Sequence, residues 1–127
     1  MTVVLLTPII PTLSGTAPEE LEFTAAAANQ WAPIASDMMT LVFIKNTDDG
    51  QAHTLTLKHY KTGDTDEVIS VTGTTAGAIK VSGVLLRYRW ANRVAATAAL
   101  GLGSCQLTWS ATTGMSIAVV HVPYASK

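Results

Sequence analysis

Three histidines, a single cysteine and two short clusters of carboxylates are the residues of this chain that could do chemistry. A histidine can ligate zinc or move a proton near neutral pH. His53 and His59 fall on one face of one predicted strand, six positions apart. At strand rise that separates them by roughly 20 Å, so they cannot share a metal. His121 has no Cys or carboxylate at ligand spacing. Glu19, Glu20 and Glu22 read as solvated side chains rather than an acid–base pair. Asp64 and Asp66 resemble part of a calcium loop, but no EF-hand spacing and no distal Glu follow. Cys105 alternates with Leu107 and Trp109, which places it on a core face as a small buried thiol and not as a nucleophile. A lone cysteine also supplies no internal disulfide. No nucleophile elbow, P-loop or dinucleotide fingerprint is present. The residues therefore predict no catalytic site, no metal and no cofactor, and a protein that is not an enzyme.

The elements that would position these residues are strands. Residues 38–45 form a β-rich apolar run, with Leu41 and Phe43 on one face and Val42 and Ile44 on the other. Asn46, Thr47, Asp48, Asp49 and Gly50 make a polar turn. Residues 53–60 then alternate, Leu55 and Leu57 inward and Thr54, Thr56 and Lys58 outward. The first strand is expected inside a sheet, covered on both faces, with the second pairing beside it and one face wet. Residues 67–72 and 79–84 read as further strands, separated by a loop from Gly73 to Gly77. A closing hairpin is expected from 104–110 and 115–122, ended by Pro123. Trp31, Ala32 and Pro33 read as a loop with Trp31 as a lid on the core. Residues 23–28 fit a strand end or one helical turn, and 91–103 a two-turn helix or an apolar loop. The expected core comprises Leu41, Phe43, Leu55, Leu57, Leu107, Trp109, Ile117 and Val119. Seven or eight short strands with regular turns predict an all-β fold, an antiparallel β-sandwich or jelly roll.

At 127 residues the chain is large enough for one domain. Its charged residues amount to 13%, against a usual share of about 25%. Together with 48% hydrophobic residues and a mean hydropathy of +0.31, this suggests that a partner covers part of the surface. The net charge of −1 and pI of about 6.2 give nucleic acid or an anionic membrane no electrostatic footprint. Arg87, Arg89 and Arg93 read as solvated or interface arginines. With Tyr88, Trp90, Leu100 and Leu102 they mark a candidate subunit interface. Residues 1–22 differ from the sandwich at 23–127. Val3, Val4, Leu5, Leu6, Ile9 and Ile10 are crowded between prolines that prevent a helix. The segment is either an extended arm that docks on another polypeptide or a strand of its own sandwich. Fully extended, it could reach about 70 Å. The start, MTVVLLTPIIPT, has no charged n-region, so no secretory signal is expected. No apolar run approaches the ~18 residues that cross a membrane as a helix.

Three stretches carry a resemblance: LVFIKN at 41–46, HTLTL at 53–57 and IAVVHV at 117–122, after an extended N-terminal segment. In this pattern the chain resembles the small jelly-roll decoration (head-stabilising or cement) proteins of tailed bacteriophages. The segment RYRWANRVAATAALGLG departs from it. The resemblance implies a non-enzymatic virion structural protein on the outer capsid surface, assembled in the host cytoplasm. It further implies a homotrimer that bridges neighbouring major capsid proteins. The alternative from the residues is a carbohydrate-binding or adhesion β-sandwich module on a virion surface, stacking sugars on Trp31, Trp90 or Trp109. Those tryptophans read first as core.

Overall fold

The computed structural model of the chain describes residues 4–10, 21–58, 65–85 and 103–123. Nine strands are present among them: β1 Val4–Leu5, β2 Thr24–Ala25, β3 Gln30–Pro33, β4 Met38–Asn46, β5 Ala52–Leu57, β6 Glu67–Thr72, β7 Ala78–Val81, β8 Ser104–Trp109 and β9 Met115–Pro123. They form two sheets, ordered β1-β3-β8-β5-β6 and β2-β9-β4-β7. Apart from β1, which joins β3 in parallel, pairing is antiparallel and nested: β2 with β9, β3 with β8, β4 with β7, β5 with β6. The β4–β9 and β5–β8 ladders complete the sheets. This is the strand order of a jelly roll, the all-β sandwich that the strand pattern predicts.

Both expected hairpins turn out to be arches between sheets. β4 lies in one sheet and β5 in the other, and the same holds for β8 and β9. In fact every connection changes sheet except β5–β6. Alternation identifies the face a residue shows to the core. It does not identify the sheet, because an arch and a hairpin join strands of the same pattern. The stretch Trp31–Ala32–Pro33, expected as a loop, belongs to strand β3, where Ala32 faces Cys105 across the β8 ladder.

Between the sheets lies one core cluster, including Ala32, Val42, Ile44, Leu55, Leu57, Val71, Cys105, Leu107, Ile117 and Val119. The inward face of β4 is therefore Val42 and Ile44, both fully buried, and not Leu41 and Phe43 as expected. Those two point outward and are half-buried. Phe43 joins a second cluster with Leu21, Ala118, Val120, Ile9 and Phe23. β4 is apolar on both faces because both are covered, the outer one by chain near the N-terminus. Trp109 is half-buried at the edge of the main core. Trp31 shares the outward side of its sheet with Gln106 and is nonetheless buried. Much of the rest of that outward side is polar, with Thr54, Thr56, Ser70, Thr72 and Thr108 in exposed or half-exposed positions beside an exposed Val68.

Candidate interaction surface

The arches at one end of the sandwich are locked by a buried amide. Asn46 ends β4 with no exposed surface. Its Nδ2 donates to the carbonyls of Gln51 and Val71 at 2.9 and 2.8 Å, and its Oδ1 accepts from the Asp48 amide at 2.9 Å. The three loops of this end then bond to one another. Thr47 donates to the Gly114 carbonyl at 2.9 Å, Gly50 to that of Gly73 at 3.1 Å, and Gly73 to that of Gln51 at 2.9 Å. The Asp48 backbone leaves no room for a β-carbon at Gly73 or Gly114, and Gly114 also holds a left-handed φ of 70°. His53 Nε2 meets Asp48 Oδ2 at 2.7 Å and fixes the same arch from the β5 side.

An imidazole held by a carboxylate is one half of a nucleophile-activating arrangement. Here no hydroxyl or thiol among the described residues is hydrogen-bonded to His53. No group of three or more His, Cys, Asp or Glu side chains gathers among them to hold a metal. His59 and Asp64 lie outside the described residues. His121 is buried and donates its Nε2 proton to the Pro33 carbonyl at 2.8 Å, a structural bond between the sheets. Cys105 is fully buried, and desolvation pushes its thiol from an ordinary 9.0 up to about 12. Gln30, 1% exposed, accepts from the Trp109 indole at 2.9 Å and from the Ala27 amide at 3.0 Å, and donates to the Ala25 carbonyl at 2.8 Å. Trp109 therefore has its polar handle committed, and Trp31 has almost no exposed surface.

The N-terminal segment lies against its own sheets. Val4–Leu5 adds to the edge of β3, and the Leu6 amide donates to the Trp31 carbonyl at 3.0 Å. The chain then crosses to the other sheet. There Ile9 bonds both ways with β9, its amide to Val119 at 2.7 Å and its carbonyl from His121 at 2.8 Å. Leu6 is buried, Ile9 is half-buried, and Ile10 is 57% exposed. Val3 lies outside the described residues. So does the whole candidate subunit interface: Arg87, Tyr88, Arg89, Trp90, Arg93, Leu100 and Leu102.

The largest exposed apolar side chains lie elsewhere, on a feature the sequence reading passed over. Among the described residues four large hydrophobics are exposed: Ile10, Val68, Val81 and Val84. Val81 and Val84 lie together where β7, at the end of one sheet among the described residues, runs beside β6 at the end of the other, while Val68 stands on the outer side of β6. A groove opens between the two strands, lined by Leu57, Ile69, Val81, Val84 and Leu85, with Glu67 in its wall. Val68 is an exposed aliphatic residue on the side of β6 that otherwise carries Ser70 and Thr72. No helix among the described residues is long and apolar enough to cross a membrane. Compared with protein-family models, curated proteins and solved structures, the chain matches none.

Proposed function

We propose that this is a non-enzymatic virion structural protein that decorates the outside of a tailed-phage capsid and stabilises it by bridging neighbouring major capsid proteins. The observation that carries the reading is the exposed aliphatic strip of Val81 and Val84 along the β6–β7 groove on a chain with 13% charged residues. An apolar strip of this kind fits a protein partner better than a small polar substrate. The resemblance of residues 41–46, 53–57 and 117–122 to decoration proteins supplies the identity of that partner, the major capsid protein. It also supplies the homotrimeric state, for which Arg87, Tyr88, Arg89, Trp90, Arg93, Leu100 and Leu102 are the proposed subunit contacts, with the exposed Ile10 as a capsid contact. A fold of this class hosts many activities, so the reading rests on surface and pattern rather than on the sandwich itself.

The test is co-sedimentation of the purified protein with expanded, undecorated capsid shells of the virus that encodes it. Saturable binding at a fixed ratio of protein to major capsid protein is expected. A protein that stays in the supernatant at tens of micromolar contradicts the reading. Light scattering on the free protein should give the mass of three chains.

A further inference from the structure

We infer that Asp49–Gly50 is a site of spontaneous covalent modification, where aspartate isomerises to isoaspartate at a rate set by the opening of its arch. Asp49 is the one Asp or Asn of the chain that a glycine follows. Glycine favours the reaction because it has no β-carbon to crowd the attacking nitrogen. That nitrogen, the Gly50 amide, attacks Cγ of Asp49. A C–N bond forms, the bond from Cγ to its hydroxyl breaks, and the hydroxyl leaves as water with the amide proton. A second water opens the resulting succinimide at either carbonyl. One opening restores aspartate. The other leaves Gly50 joined through Cγ, with the former main-chain carbonyl as a free carboxylate. No co-reactant other than water takes part.

The fold presents the electrophile and restrains the nucleophile. Asp49 and Gly50 are the central residues of a turn closed by the Gln51 amide on the Asp48 carbonyl at 3.0 Å, and Gly50 holds a left-handed φ of 75°. Both are exposed. The Asp49 carboxylate makes no hydrogen bond or ion pair among the described residues, so it is not tied away from the nitrogen. The Gly50 nitrogen is tied. It donates to the Gly73 carbonyl at 3.1 Å, beside the bridge between Asp49 and Gly73. Gly73 in turn donates to the Gln51 carbonyl, and Asn46 Nδ2 joins that carbonyl to the one of Val71. An amide held in this way reacts only when its loop opens, so the rate follows the population of the open arch. The product cannot restore the closed arch. Isoaspartate adds one carbon to the main chain at Asp49, against Gly73, where the Asp48 backbone already leaves no room for a β-carbon. The inference does not depend on what the protein binds.

Ageing the purified protein at physiological temperature tests it, read by proteolysis and mass spectrometry with electron-transfer fragmentation, which separates the two isomers of equal mass. In the folded protein isoaspartate should accumulate at Asp49 ahead of every other Asp. In denaturant the rate at Asp49 should rise about tenfold or more, and Asn46→Ala should fall between the two. Circular dichroism checks that the variant is folded. If it is not, His53→Ala, which releases Asp48 from the β5 side, is the variant read, with the same intermediate rate expected. An Asp49 that stays unmodified in the folded protein over months overturns the inference, as does one that isomerises no faster in denaturant. A folded variant that isomerises no faster than the wild type overturns control by the arch.

Discussion

At the scale of single residues, the polar groups inside this sandwich hold loops and sheets together and leave no reactive centre among the described residues. Asn46 satisfies three backbone groups at the junction of two arches. Asn46→Ala strips those partners inside a closed site and should cost about 2–4 kcal/mol, measured by chemical denaturation. A loss below about 1 kcal/mol would mean that water replaces the amide. Cys105 gives a prediction with a defined sign. Its folded thiol keeps its proton up to about pH 12, whereas the unfolded thiol loses it near 9.0. Stability from this group is thus complete below pH 9 and falls as the pH rises toward 12, by about 1.4 kcal/mol per unit at most. Cys105→Ala should flatten that decline in the denaturation midpoint. In the native protein a thiol reagent should leave Cys105 unmodified at pH 8 and label it fully in denaturant.

At the scale of elements, the outcome turns on strands whose two faces are both apolar. Alternation placed Leu55, Leu57, Leu107, Ile117 and Val119 inward, and all are buried. On β5 and β8 the other face is polar, so the pattern has one solution, whereas on β9 Ala118 and Val120 are buried as well, in the outer cluster. Residues 41–44 read Leu-Val-Phe-Ile, and periodicity cannot choose between two apolar faces. The packing chooses Val42 and Ile44 for the main core and leaves Phe43 in the smaller outer cluster. Ile44→Ala should therefore cost about 3–4 kcal/mol and Phe43→Ala about 1–2 kcal/mol. The opposite order in denaturation midpoints would contradict this assignment. The Asn46 lock and the His53–Asp48 pair were not legible in advance, since both depend on loops that meet only once the arches cross between the sheets. The N-terminal segment also gained its place from the fold. Its prolines and aliphatics fitted an arm or a strand, and residues 4–9 pair with both sheets of their own chain. Removing residues 2–9 should lower stability by about 2–4 kcal/mol through the lost burial of Leu6 and Ile9. Unchanged stability would mean that this docking contributes nothing to the isolated protein.

At the scale of the whole molecule, one sheet face carries mostly threonine and serine, the other is apolar and partly covered, and the groove between β6 and β7 exposes Val81 and Val84. The chain has few charges to keep such surfaces apart, so association is the expected state. Composition suggests a surface that a partner covers. It could not locate that surface, because exposed and buried valines are the same letter in a sequence. The proposed role is to hold a capsid together, and bridging makes a demand that adhesion alone does not. A ligand that binds intact shells and not dissociated subunits stabilises the shell by RT ln(1 + [L]/Kd), so its melting temperature rises with the free ligand concentration. Calorimetry of undecorated expanded shells, titrated with this protein, tests that role most directly. The shell transition should move upward as protein is added and keep rising with the logarithm of its free concentration. A shell transition that stays in place at saturating protein would contradict the proposed role.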